Sequence, residues 1–198
     1  MAIVNWAIKI TEIGRCLQSL SALLSDASDI PTDEAFIRWT DLTVRIRAQN
    51  NTIFLIGNGA SASMASHVAA DLAKNAHVHT EVFTDLALIT AIANDISYDE
   101  VFSEPLRRRL KKGDMLVAIS SSGQSRNIIQ AVETAKNLGG IVITLSAMNA
   151  ENLLRRKGDL NLYVPAQTYG MAETCHAAIL HYWIDQVNVQ NLNAIGKG

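Results

Sequence analysis

Four short stretches of this chain, Ile53 to Ile56, Met115 to Ile119, Ile141 to Leu145 and Leu160 to Val164, are almost wholly apolar. A strand with one wet face alternates polar and apolar residues. These runs instead suit strands covered on both faces. Val78 to Phe83 is a fifth extended candidate. Between the runs lie helix-like pieces: one reaching about Lys74, Leu86 to Ala93, Asp99 to Leu110, Arg126 to Leu138, and Met171 to Val189. Strand and helix in alternation predict a doubly wound α/β fold, with a five-stranded parallel sheet flanked by helices. In such sheets ligands bind beyond the carboxyl ends of the strands, where strand order reverses. Function is therefore sought in the loops Gly57 to Ser61 and Ser120 to Ser125.

The first fifty residues read as an N-terminal helical pair. Ile3, Trp6, Ile10, Ile13, Leu17, Leu20 and Leu24 follow spacings of three and four, the seam of one long helix. That seam packs either on the core or on a helix of another subunit. Ser25 to Pro31 breaks it, and Thr32, Asp33 and Glu34 suit the start of a second helix to about Gln49. The expected organisation is one domain over 1–198, with 1–50 serving oligomerisation and 51–198 forming the α/β core. Trp6, Trp39 and Trp183 read as packing anchors.

Composition excludes several classes. With 198 residues, 17 Lys+Arg against 19 Asp+Glu and a net charge of −2, the chain has no electrostatic footprint for direct nucleic-acid binding. The basic cluster Arg107-Arg108-Arg109 with Lys111 and Lys112 ends a predicted helix, where positive charge suits the dipole. Two cysteines, Cys16 and Cys175, are too few for a disulfide scaffold and lack metal-ribbon spacing. Cys175 reads as a small core residue. No uncharged apolar run is long enough to span a membrane. The expectation is a cytoplasmic protein with no membrane partner.

The loop Ser120-Ser121-Ser122-Gly123-Gln124-Ser125 places four hydroxyls and a glycine between a strand and a helix. A helix N-terminus offers free N–H groups and the positive end of a dipole, and hydroxyls add donors without a countercharge. Ser125 could simply cap its helix, but a cap uses one serine and leaves three. Gly57-Asn58-Gly59-Ala60-Ser61 is a second glycine turn, without the third glycine of a dinucleotide fingerprint. Together the loops suggest a sugar phosphate held by hydroxyls and amides.

His67 and Asp71 are four residues apart on one predicted helix; Glu173 and His181 are eight apart on another, with His176 between them. Two facing helices so equipped could hold a divalent metal such as zinc or form an acid/base set. A solvated face or a satisfied core histidine explains the same spacing.

These motifs, with Ala93-Asn94-Asp95 between them, resemble the sugar-isomerase (SIS) domain proteins of the phosphoheptose isomerase group, over nearly the whole chain. The resemblance implies a homotetramer that isomerises sedoheptulose 7-phosphate to a glycero-manno-heptose 7-phosphate, towards the heptose of bacterial lipopolysaccharide. It implies substrate contacts from Asn58, Gly59, Ala60, Ser61, Asn94, Asp95, Ser120, Ser121, Ser122, Ser125 and Glu173. Metal ligands, for zinc or another divalent cation, would be His67, Asp71, Glu173 and His181. Catalysis would fall to Asp71, His181 and Glu173, through an enediol. Two positions depart from the family: Asp71 stands for its usual glutamate and Glu173 for its usual glutamine. Glu173 is therefore expected to share or take over the base role. The stretch Ala91 to Asp95 and Asp99 to Phe102 equally resembles a branch that associates with the bacterial replication initiator DnaA as a tetrameric scaffold. An isomerase or binder for another sugar phosphate is the remaining alternative.

Overall fold

The computed structural model describes residues 5–195, with side-chain surroundings through Gln190. The first helix, α1, spans Trp6–Gln18. A hairpin of β1 (Ser21–Leu24) and β2 (Asp29–Ile30) follows, then α2 (Thr32–Ala48) and β3 (Thr52–Gly57). Next come α3 (Ala60–Ala76), β4 (His79–Val82), α4 (Leu86–Asp95), a 3-10 turn (Tyr98–Glu100) and α5 (Ser103–Arg109). The chain continues through β5 (Met115–Ser120), α6 (Arg126–Asn137), β6 (Ile141–Ala147), a second 3-10 turn (Leu153–Arg156), β7 (Leu160–Val164) and α7 (Tyr169–Ile195).

All five expected strands form one parallel array, β7-β6-β5-β3-β4. The sheet has seven strands because β1 pairs antiparallel with β7, and β2 with β1. The single long N-terminal helix expected to Leu24 is thus corrected: it ends at Gln18. Leu20 and Leu24 fit the heptad spacing, but β7 is buried along its whole length, and its outer edge needs a partner strand. The turn is built locally. Asp26 accepts from the Ser28 N–H (3.0 Å) and hydroxyl (2.5 Å), and Ala27 takes φ +64°. Within α1 the seam is only partly used. Ile13 and Leu17 pack on the core, whereas Trp6, Ile8 and Ile10 are exposed, so Trp6 is no anchor within this chain. Two smaller differences follow from local chemistry. Thr32 is the first residue of α2, its hydroxyl donating to the Leu20 carbonyl (3.2 Å) rather than capping. The helix expected from Asp99 divides into a 3-10 turn and α5, with Pro105 in the first turn of α5, where no N–H is needed.

Successive residues of a strand point to opposite faces, and here both faces are core. Ile53, Leu55, Met115, Val117 and Ile119 pack with the helices that carry Trp39, Leu72 and Trp183. Phe54, Ile56, Leu116 and Ala118 pack with Leu106, Ile128 and Val132 on the other side. That explains the unbroken apolar runs. The first face centres on Trp39 stacked on Trp183 at 4.0 Å, with the Trp183 indole N–H donating to the Thr43 hydroxyl (3.0 Å). Strand order reverses between β3 and β5: α3 leads from β3 to β4 on one side, and β5, β6 and β7 run to the other. The two glycine loops open at that point.

Candidate active site

The loop after β3 demands glycine at its start. A Cβ on Gly57 would lie 2.6 Å from the Ser61 backbone, so only glycine lets α3 begin this close to the strand end. Gly59 takes φ +57°, and Asn58 and Gly59 carbonyls accept from Ser61 and Ala62 N–H (both 3.0 Å) to start α3. Asn58 is thereby half-buried beside the loop that follows β5.

That second loop begins with Ser120 and Ser121 buried at the strand end, and Ser122 and Ser125 half-exposed. Gly123 turns it with φ +61°, and a Cβ there would stand 1.9 Å from Asn152 Oδ1. The Leu154 N–H donates to the Gly123 carbonyl (3.1 Å), which fixes the loop against the second 3-10 turn. Ser125 occupies the N-cap of α6, yet its side chain makes no capping hydrogen bond. Its hydroxyl instead accepts from Ser120 Oγ at 3.3 Å. The Ser125 hydroxyl is thus not committed to its own helix and lies on the wall of the cavity between the loops. The first turn of α6 adds N–H groups and the dipole's positive end.

Between the two loops is a cavity of about 180 Å³. Its lining includes Asn58, Ser61, Ser120, Ser121, Ser122 and Ser125, and is completed by Ile119, Tyr169 and Glu173. It has room for a phosphate group and the adjoining part of a small polar ligand, with Tyr169 and Glu173 completing its lining. Larger hollows occur elsewhere. One of about 620 Å³ lies on α2 alone, and one of about 340 Å³ lies between α1 and the β7–α7 loop. Neither gathers a comparable set of hydroxyls.

His67 and Asp71 of α3 meet His181 of α7 in a separate cluster. One ligand atom from each lies within 4.8 Å of the others. His67 Nε2 is 3.4 Å from Asp71 Oδ2, and the two imidazole rings are 5.2 Å apart. Two imidazoles and a carboxylate in that compass fit a divalent ion such as zinc after closing by under about 1 Å, leaving a coordination position open. Glu173 does not join this group. Eight residues of helix rise about 12 Å, and they put Glu173 near the start of α7, at the serine cavity. The four expected ligands therefore divide three and one. Asn94 and Asp95 sit exposed at the end of α4, the Asn94 amide donating to Asp95 (2.8 Å); neither lines the serine cavity of its own chain. Gly59 and Ala60 are exposed at the start of α3.

His176 is 1% exposed, and burial pulls its pKa down to about 4, so at neutral pH it is an uncharged core residue. Cys175 is buried as well, its thiol pushed up to about 12 by burial and by Cys16, which makes it a poor nucleophile. The arginine cluster is largely paired: Arg107 and Arg108 bond Glu104, and Arg109 bonds Glu81 (3.0 Å). Sequence reasoning missed Tyr98, Asn127 and Tyr169. Tyr169 had a signal, being four residues before Glu173 on the same helix face. The other two reach the site only through contacts between elements.

A polar pocket at the switch point of a parallel sheet, lined by hydroxyls at a helix N-terminus, defines a phosphosugar-binding α/β domain. The SIS domain family model matches residues 17–147. Phosphoheptose isomerases from Shewanella sp. strain ANA-3 and Shewanella baltica strain OS155 are each 30% identical over 179 residues, covering 86% of this chain and 90% of theirs. The structure of phosphoheptose isomerase GmhA from Neisseria gonorrhoeae superposes with a TM-score of 0.77 at 29% identity, over 91% of this chain and 96% of that one. A phosphoheptose isomerase from Francisella tularensis shares the fold, with a TM-score of 0.77 at 22% identity over 93% and 99% of the two chains. The chain belongs to the SIS-domain family, in its phosphoheptose isomerase group.

Proposed function

We propose that this chain is an aldose–ketose isomerase that converts sedoheptulose 7-phosphate to a glycero-manno-heptose 7-phosphate. The observation that carries the reading is the Ser125 hydroxyl, which leaves its own helix uncapped and turns to the cavity that also holds Glu173. The relatives named phosphoheptose isomerase supply the reaction.

In this account Ser120, Ser121, Ser122 and Ser125 and the α6 N-terminus take the phosphate, while Asn58, Gly59, Ala60, Ser61, Asn94 and Asp95 contact the sugar. A carboxylate removes a proton from C1 of the ketose. The resulting enediol is reprotonated at C2, and a neighbouring subunit's His181 moves the proton between the two oxygens, since within one chain His181 stands about 12 Å along α7 from Glu173. Glu173 is the carboxylate beside the serines, which supports it as the base. Asp71, one methylene shorter than the family's glutamate, stays with the histidines. His67, Asp71 and His181 would hold zinc or another divalent ion, which when bound would polarise the carbonyl and stabilise developing charge on oxygen. We further propose a cytoplasmic homotetramer that feeds the heptose of lipopolysaccharide. Residues 1–50 would serve assembly and 51–198 would form the catalytic core; the exposed Trp6, Ile8 and Ile10 support that division.

The test is conversion of sedoheptulose 7-phosphate by the purified protein as isolated, after chelation and after zinc is restored. Turnover lost on chelation and regained with zinc supports both the reaction and the metal. Undiminished turnover in the metal-free protein would remove the metal from the account, and no turnover in any state would remove the reaction.

A further inference from the structure

Asn127 lies just inside α6 and is 3% exposed, outside the lining of the serine cavity. Its side chain nevertheless governs a residue that does line it. Asn127 Nδ2 donates to Asn58 Oδ1 (2.9 Å), and Asn58 Nδ2 donates back to Asn127 Oδ1 (2.9 Å). The two amides form a closed pair between the β3–α3 loop and the start of α6.

The pair has only one consistent orientation. The backbone N–H of Ile128 can only donate; it is shared between the Ser125 carbonyl (3.1 Å) and the nearer Asn127 Oδ1 (2.9 Å), where an amide nitrogen would set donor against donor. That atom is therefore the carbonyl oxygen, and its amide nitrogen is the one facing Asn58. Asn58 must then present oxygen to the Asn127 amide and nitrogen to its carbonyl. The Tyr98 hydroxyl, 3.2 Å from Asn58 Oδ1, occupies the second lone pair of that oxygen. Both acceptor positions of Asn58 are thus spent, and one N–H remains.

We propose that Asn127 is a positioning residue that holds Asn58 so that it offers the ligand a donor and never an acceptor. The inference rests on the phosphosugar reading of the cavity. It assigns the ligand an acceptor oxygen, from a carbonyl or the phosphate, at the point where Asn58 meets it. Without the Asn127 amide, Asn58 can turn over and present its oxygen to that acceptor, which repels it. A fixed donor in a low-dielectric pocket also avoids the entropy cost of orienting it at each binding event.

A double-mutant cycle tests this. Asn127→Ala, Asn58→Ala and the double variant are compared by kcat/KM for sedoheptulose 7-phosphate. Each is also compared by calorimetric Kd for sorbitol 6-phosphate, a sugar phosphate without a carbonyl. We expect Asn127→Ala to weaken kcat/KM about tenfold in the parent and less than about twofold once Asn58 is alanine. Tyr98→Phe, at an exposed side chain where folding is secure, is expected to weaken it about threefold, an effect that also vanishes in the Asn58→Ala protein. Equal losses in both backgrounds would show that Asn127 serves only its own helix and would overturn the proposal. A parent protein that binds sorbitol 6-phosphate without isomerising the heptulose would refute the isomerase reading alone, and the cycle would then be read on Kd. A folded parent that does neither would overturn both.

Discussion

Replacing Ser125 by alanine separates two roles that a helix-start serine can play. An N-cap serine that bonds its helix typically contributes about 1 kcal/mol to stability. Here the cap bond is absent, and the change removes only a 3.3 Å contact between the Ser120 and Ser125 hydroxyls. A neutral, half-exposed contact of that length is worth about 0.5 kcal/mol. In a chain of this size that lowers Tm by about 1 to 2 °C. A hydroxyl bonded to a phosphate dianion is worth more, about 1.5 to 3 kcal/mol, or roughly tenfold to 150-fold in affinity. Thermal unfolding and steady-state kinetics on the same preparations read the two quantities. The expected result is a nearly unchanged Tm with a KM for sedoheptulose 7-phosphate at least tenfold higher. A Tm lowered by several degrees with an unchanged KM would refute the reasoning, because it would make Ser125 an ordinary cap.

Three further outcomes follow from particular residues. His176 has its folded pKa lowered to about 4 from 6.5, so its contribution is complete above pH 6.5 and is lost as pH falls towards 4. Wild type should therefore lose about 2 kcal/mol more than His176→Leu between pH 7.5 and 5 in denaturant titrations, and parallel pH curves would contradict this. Glu173→Gln should abolish turnover while Asp71→Ala retains part of it, and the reverse pattern would return the base to Asp71. Gly123→Ala combines a left-handed φ with a Cβ 1.9 Å from Asn152 Oδ1. It should cost about 2 to 4 kcal/mol by chemical denaturation, and a loss under 1 kcal/mol would show that Asn152 gives way freely.

The parallel sheet was legible because burial on both faces leaves its mark in composition: Ile53 to Ile56 cannot alternate when each residue meets a core. The switch-point loops followed from that topology. The β1–β2 hairpin was not legible, because Leu20 and Leu24 satisfy a helical seam equally well and only the open edge of β7 decides between them. In the site, His67 and Asp71 were found through local helical spacing. Glu173 and His181 share a helix too, but their spacing does not say that one reaches the serine cavity and the other the histidine cluster. Asn127 and Tyr98 left no local trace, since their partner Asn58 is 69 and 40 residues away.

The central claim is that this chain isomerises a seven-carbon sugar phosphate. It is tested most directly by following sedoheptulose 7-phosphate by NMR in the presence of catalytic amounts of the folded protein, with fructose 6-phosphate in a parallel tube. A growing heptose 7-phosphate signal is expected in the first tube and a far slower change in the second, with both lost in His181→Ala. An unchanged heptulose spectrum, or faster conversion of the hexulose, would contradict it.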